Sequence, residues 1–198
     1  MKLGKPTFII STRSDDLVEA LKKSPKIITV WVRAGKFKDK LPIIRSAIVY
    51  EARSITDAKD YQKRFISVLP VPNTHTKLSI LKGISKRQIA QLLIYTRKDK
   101  LIRTQTHDFD HFKSKKTFLS WKSRGKTIYT LINRTGKLLG VKWYDKRHPG
   151  KHIEPTVRIY PPIRGMRFTK KFLEIVRQNY KPKSRRSVIP KNRKSKIL

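Results

Sequence analysis

Cysteine is absent from this chain of 198 residues. Disulfides, thiolate metal ligands and a cysteine nucleophile are therefore excluded. Acidic residues are scarce as well: 13 aspartates and glutamates stand against 49 lysines and arginines, for a formal net charge of +36. A charge of this size attracts polyanions, so RNA, DNA or an acidic cofactor is an expected partner, unless the whole proteome of the source is basic.

Long apolar runs are missing too. No run approaches the length of about 20 residues that a membrane-spanning helix requires, and the apolar stretch Thr7–Ile10 is too short for a secretory signal. These absences predict no membrane partner and a cytoplasmic location, with an organellar or ribosomal location left open. Hydrophobic residues make up 37% of the chain, which is enough for one domain with extensions or for two very small domains.

Local patterns of apolar residues, caps and turns predict an α+β protein. The predicted strands are Thr7–Ile10, Ile27–Val32, Ile43–Tyr50, Ile66–Val71, Thr127–Asn133, Leu138–Tyr144 and Thr156–Tyr160. The predicted helices are Ser14–Lys23, Thr56–Phe65, Ser85–Tyr95 and Thr169–Tyr180, with Ser14, Thr56 and Ser85 as caps. Aromatic residues recur at roughly helical spacing over Phe109–Trp121, a pattern typical of core and less often of base stacking.

Two histidines, His107 and His111, are spaced by four in the segment HDFDH. With Asp108 or Asp110 they would make a small metal site if the segment were helical. Such spacing alone is weak evidence, and a polar loop in which an aspartate caps the next helix is the favoured explanation. The sequence therefore predicts no metal.

The segment YPPIRGMRF, Tyr160 to Phe168, joins a predicted strand to a predicted helix. Backbone N–H groups in the first turn of a helix have no intrahelical acceptors, and the helix dipole makes that end partly positive. A strand, a short Arg-Gly turn and a helix N-terminus together predict a phosphate-binding site.

Two segments resemble GNAT-type N-acetyltransferases. YTLINRTGKLLGVKWYD (Tyr129–Asp145) is similar to the central hairpin of that family, and TVRIYPPIRGMRFTKKFLEIV (Thr156–Val176) to its cofactor strand, turn and helix. The family's turn reads R/Q-x-x-G-x-G/A, and Arg164 stands at its first position. Arg167 stands where glycine is the rule, and Thr169 where glycine or alanine is the rule.

The resemblance begins near Ser85 and implies a GNAT-like sheet flanked by helices over residues 84–180, after an N-terminal αβ segment, 1–83, of unknown role. It implies acetyl-CoA or another acyl-CoA as cofactor. The strand residues Val157, Arg158 and Ile159 would pair with the pantetheine arm. The pyrophosphate would be held by Arg164, Gly165, Met166, Arg167, Phe168 and Thr169. Glu154 and Asp145 are the nearest candidates for a general base, and surface carboxylates are the plainer interpretation of both.

From residue 181 onward the chain has no periodicity and two prolines, which predicts a flexible basic tail, 181–198. Its candidate contacts to nucleic acid are Lys181, Lys183, Arg185, Arg186, Lys191, Arg193, Lys194 and Lys196. The leading function is transfer of an acyl group from acyl-CoA to an amine. The alternative is a non-enzymatic RNA-binding protein associated with ribosomes, and DNA binding is a third, weaker interpretation. The oligomeric state is not indicated.

Overall fold

The computed structural model describes residues 6–33, 48–71, 74, 76–99, 109–145, 157–164 and 168–180. Within them the chain forms two sheets and five α-helices, so the predicted α+β class is confirmed. The strands are β1 (Phe8–Ser11), β2 (Ile28–Val32), β3 (Tyr50–Ala52), β4 (Phe65–Pro70), β5 (Lys77–Lys82), β6 (Lys126–Ile132), β7 (Leu138–Asp145) and β8 (Val157–Ile159). The helices are α1 (Ser14–Lys23), α2 (Ile55–Arg64), α3 (Lys86–Lys98), α4 (Lys115–Ser123) and α5 (Phe168–Asn179).

The first sheet has three parallel strands in the order β1-β2-β3, with Val30 paired to Ile10 on one side and to Tyr50 on the other. Every residue of β2 is buried, as a β-branched and aromatic run in the middle of a parallel sheet should be. Helix α1 covers one face of the sheet, where Leu17 packs with Trp31.

The second sheet has five antiparallel strands in the order β4-β5-β6-β7-β8. Its centre is the hairpin of β6 and β7, whose turn contains Gly136 at a φ of +77°. A Cβ at that position would lie 3.2 Å from the Tyr50 hydroxyl oxygen. Gly136 therefore serves both the left-handed backbone and the close packing of the hairpin turn on the first sheet.

Two helix caps differ from the predicted ones. Helix α2 begins one residue earlier than expected because Ser54, rather than Thr56, accepts a hydrogen bond from the backbone N–H of Asp57. Ser14 is the first helical residue of α1, and no side chain caps that helix. The predicted cap at Ser85 is confirmed, and Gln88 completes a reciprocal capping box with it.

Strand β5 is missing from the sequence-based prediction, which places Lys77 at the end of a loop, Val71–Lys77, and assigns no element to the residues that follow it. Residues Leu78 to Leu81 are all buried, and β5 lies between β4 and β6. The aromatic segment after residue 108 is divided in two: a 3-10 turn, Phe109–Phe112, precedes α4, and Ser114 caps α4 with its own capping box. The upstream half of the predicted strand Ile43–Tyr50 lies outside the described residues.

The five-stranded sheet is covered on both faces. Helices α3 and α4 pack on one face, where Leu92 and Phe118 meet Trp143, and α5 packs on the other, where Phe172 and Val176 meet Leu131. The cluster under α3 and α4 continues into the N-terminal part through Val30 and Tyr50 of the first sheet and Tyr61 of α2. The division predicted between residues 83 and 84 falls between β5 and α3.

Candidate functional site: the outer edge of β8

Strand β8 forms one edge of the five-stranded sheet. The N–H of Tyr160 donates to the carbonyl of Leu139 at 2.9 Å, and Ile159 lies opposite Gly140. Because hydrogen-bonded and non-bonded pairs alternate along an antiparallel ladder, the N–H and C=O groups of Val157 and Ile159 face away from β7. Within the described part of the chain, no strand pairs with this outer edge.

Gly140, within β7, sets how closely β8 approaches β7. A Cβ at this position would come within 2.9 Å of Ile159 Cδ1 and 3.2 Å of the backbone oxygen of Arg158. The first contact is with the movable end of a side chain, but the second is with backbone. A larger residue here would push β8 outward, so Gly140 positions the candidate site.

Arg164 follows β8 and turns its side chain back onto the sheet edge. Its Nε and Nη2 donate to the carbonyl of Ile159 at 3.3 and 3.2 Å. The same guanidinium forms an ion pair with Asp99, the C-cap residue that follows α3. The Arg164 side chain thus joins the turn to α3, and the backbone N–H of Arg164 donates to Pro161 C=O at 3.3 Å.

Helix α5 begins at Phe168, four residues after Arg164, and Thr169 lies half-buried in its first turn. Phe172 and Val176 fix the helix against the sheet. Three of the predicted phosphate contacts, Gly165, Met166 and Arg167, lie outside the described residues, and so does the candidate base Glu154. The N–H groups of the first turn of α5 remain free of intrahelical acceptors, as at any helix start.

Arg158, predicted to lie along the cofactor, points its side chain into the core. The residue is 3% exposed, and its guanidinium carbon lies 4.2 Å from the ring centre of Phe112 and 5.4 Å from that of Trp143. The neighbouring Tyr160 is fully buried and stacks on Tyr95 at 4.5 Å. Burial raises the pKa of Tyr160, an effect that the positive charge of Arg158 partly opposes. Both side chains hold β8 to the α3 layer from inside.

Asp145, the other candidate base, is held in an ion pair. Its carboxylate accepts from the Lys126 ammonium on the opposing strand, and the two side chains are 9% and 12% exposed. Along β7, Asp145 lies three residues beyond Lys142, which pairs with Val157 at the start of β8. Arg164 follows the opposite end of β8, after Ile159. The structure therefore separates Asp145 from the predicted phosphate-binding turn after β8 by the length of the strand.

Lys142 is a buried cation that sequence reasoning did not identify. It lies on β7 opposite Val157 and is 0% exposed, and its Nζ is 4.5 Å from the ring centre of Tyr144. Burial, with a further contribution from the positive charge of Arg177, lowers the pKa of Lys142 from 10.5 to about 8. The one available signal was its position inside an apolar strand pattern, Leu138 to Trp143.

The remaining candidates fall elsewhere. The predicted tail contacts, 181–198, and His107 with Asp108 lie outside the described residues, while His111 stacks on Trp121 at 6.2 Å. Within the described ranges, no group of three His, Asp or Glu side chains is arranged to hold a metal ion. None of the helices in the described part of the chain combines the length and the apolarity needed to cross a bilayer.

A scan against protein-family models, a search of curated proteins and a search of solved structures each found no match.

Proposed function

We propose that the chain binds acyl-CoA along the outer edge of β8 and transfers the acyl group to an amine. The observation that carries the proposal is the edge itself: the backbone N–H and C=O groups of Val157 and Ile159 point outward, next to a turn and the N-terminus of α5. Together with the resemblance of Tyr129–Asp145 and Thr156–Val176 to GNAT-type enzymes, this edge fits a pantetheine arm as an added strand.

Each part of the edge has a role in this proposal. The Ile159 N–H donates to the thioester carbonyl and stabilises the negative charge that develops on its oxygen. The first turn of α5, with Thr169, receives phosphate oxygens. Arg164 keeps the turn in place through Asp99 and Ile159 C=O. Acyl-CoA supplies an activated acyl carbon, whose bond to sulfur is replaced by a bond to the amine nitrogen while the amine proton passes to the thiolate.

No carboxylate base is assigned. Asp145 is occupied by Lys126, so catalysis relies on positioning an amine that arrives neutral next to the carbonyl. Orientation of this kind contributes up to about 7–11 kcal/mol in favourable intramolecular cases. The resulting pH dependence is that of the acceptor: the rate rises with pH until the amine is fully deprotonated.

The test removes one N–H. Ile159→Pro deletes the outward donor while leaving the ladder to β7 intact, because proline is tolerated in an edge strand where its nitrogen faces away from the partner. Ile159→Val is the matched control that keeps the N–H. After bound nucleic acid is stripped, calorimetric titration with acetyl-CoA should give binding to the parent and the valine variant, and at least tenfold weaker binding to the proline variant.

A melting curve for each variant checks that the fold is retained. The absence of acetyl-CoA binding by the parent at millimolar ligand would remove the proposal. Equal acetyl-CoA binding by the proline and valine variants would show that the chain binds the cofactor at a place other than the β8 edge.

RNA binding is a second candidate, favoured by a different observation. The net charge is +36, and the last 18 residues contain eight lysines and arginines and no acid. Neutralising phosphates with such side chains releases counterions and makes binding strong at low salt.

A further inference from the structure

The positive charge is distributed unevenly over the described residues. The N-terminal ranges 6–33 and 48–64 contain nine lysines and arginines and six acids. The layer made by 86–99 and 109–124, which holds α3 and α4, also contains nine lysines and arginines but two acids. The other described residues contain eleven lysines and arginines and two acids, in about twice as many positions as the layer. The layer therefore has the highest net positive charge per residue, which a uniformly basic proteome does not explain.

The two acids of this layer are both bound to cations. Asp99 forms an ion pair with Arg164. Asp110 lies 2.6 Å from the Lys113 ammonium, whose hydrogen bond and charge lower the pKa of Asp110. The positive potential of the layer is therefore not offset by free carboxylates on α3 or α4.

The cations lie on the solvent side of both helices. The inner sides are fixed by Leu92 of α3 and Phe118 of α4, which meet in one cluster over the sheet. The outer sides carry the exposed cations Lys86, Arg97, Lys98, Lys115, Lys116 and Arg124. Because the two helices pack side by side on one face of the sheet, their outer sides form a continuous surface, here called the α3–α4 face.

Two large apolar side chains lie among these cations. Ile94 on α3 is 47% exposed and Leu119 on α4 is 41% exposed. A surface helix that inserts into a membrane presents a continuous apolar side, whereas each of these helices presents one large apolar residue among cations. Phosphates in regular spacing, with sugars and base edges between them, match this mixture better than a lipid surface does.

We infer that the α3–α4 face binds the sugar–phosphate backbone of RNA. This inference rests on the candidate RNA-binding function and assigns it to a folded surface in addition to the basic tail. The contact is electrostatic and independent of sequence, because contacts to phosphates carry no sequence information.

The test compares two triple variants that remove the same charge. Lys86→Glu, Lys115→Glu and Lys116→Glu alter the α3–α4 face at the first turns of its two helices, where acidic residues favour the helix dipole. Lys22→Glu, Lys26→Glu and Lys59→Glu make the matched change on exposed positions of the N-terminal part. Binding to a labelled single-stranded RNA is measured from 50 to 300 mM salt on the full chain.

We expect the face variant to bind RNA at least tenfold more weakly than the control variant at about 0.1 M salt, with a salt slope lower by about 2, since each phosphate contact contributes about 0.7 for single strands. Melting curves verify the fold. An equal loss of RNA affinity in both triple variants would mean that only the net charge matters. That result would overturn the assignment to the α3–α4 face but would leave the candidate RNA-binding function standing.

Two further outcomes separate the remaining alternatives. Failure of the parent to bind RNA at low salt would overturn both the candidate function and this surface. Sedimentation with vesicles of phosphatidylserine provides the last comparison: if the face variant loses vesicle binding but keeps RNA binding, the surface contacts lipid and the inference is wrong.

Discussion

At the scale of single residues, Lys142 is the least expected feature of the molecule. Its ammonium lies in the interior between Tyr144 and the end of α5, with Arg177 close enough to repel it. Tyr144 offers a cation–π contact, which offsets only part of the cost of removing a charge from water. We therefore expect Lys142 to destabilise the protein at neutral pH, which lies below its folded-state pKa of about 8.

Replacement of Lys142 by methionine should stabilise the chain at pH 7 by on the order of 1 kcal/mol or more, because an apolar side chain of similar shape avoids that cost. In the wild type the unfolded chain keeps the proton up to about pH 10.5, whereas the folded chain releases it near pH 8. Between these values the unfolded state binds more protons, so this group raises the free energy of unfolding with pH. The difference in free energy of unfolding between Lys142→Met and the wild type should therefore decrease as the pH rises from 8 towards 10.5.

The measurement is denaturant unfolding of both proteins at pH 7.0, 8.0 and 9.5. Lys137→Met, at an exposed position in the turn between β6 and β7, is the control and should show no such trend. If the difference in free energy of unfolding between Lys142→Met and the wild type stays constant over this pH range, Lys142 titrates like an exposed lysine.

At the scale of elements, α3 depends on its first turn. Ser85 accepts from the N–H of Gln88, and the Gln88 side chain accepts from the N–H of Ser85 and from Arg64 of α2. The capping box thus satisfies orphan backbone donors and also ties α3 to the N-terminal part of the molecule.

Ser85→Ala should lower the free energy of unfolding by about 0.5–2 kcal/mol, the usual cost of losing an N-cap. Ser120→Ala, at an exposed position inside α4, should be neutral or slightly stabilising, since alanine is the better helix former. Thermal or urea unfolding measures both. Equal stability of Ser85→Ala and wild type would mean that water replaces the cap at no cost.

The elements could be predicted where side-chain pattern and local chemistry agree. Helix α1 follows directly from its acids at the start and lysines at the end, and β7 from its apolar run after the Gly136 turn. Strand β5 was missed because lysines at both ends and a buried serine, Ser79, interrupt its pattern. Ser79 is tolerated inside since its hydroxyl bonds with that of Tyr61, 18 residues away, a contact that no local pattern contains.

The candidate site was predictable only in part, for a similar reason. The order of strand, turn and helix around Tyr160 is local and was predicted. The inward direction of Arg158, the bond of Arg164 to Asp99 and the ion pair of Asp145 with Lys126 depend on strand register and on residues far apart in the chain. Sequence analysis predicts that charged residues of this kind face solvent, because a single sequence gives the residue type but not the residue with which it pairs in the fold.

At the scale of the whole molecule, charge dominates. Like charges in such excess repel one another in the compact state, and dissolved salt screens that repulsion. The tail adds eight of the 49 lysines and arginines in 18 residues, so we expect it to contribute to the proposed RNA binding out of proportion to its length.

Deletion of residues 181–198 should weaken RNA binding and lower its salt slope by about 0.7–0.9 for each phosphate the tail contacts. The melting temperature should change little, since a segment without apolar periodicity has little surface to bury. Filter binding across a salt series and a melting curve give the two readouts. An unchanged slope would mean that the tail does not contact the nucleic acid.

The shared core between the two sheets also governs when the protein can fold during synthesis. Val30 and Tyr50, made early, belong to the same cluster as Trp143 and Tyr160, made more than 90 residues after Tyr50. At roughly 5–20 residues per second of translation, the shared cluster waits several seconds or more for its last members. Tyr61 of α2, which stacks on Tyr50, is made early, so the N-terminal part leaves the ribosome with its own inner contacts and completes the cluster only when β7 and β8 have emerged.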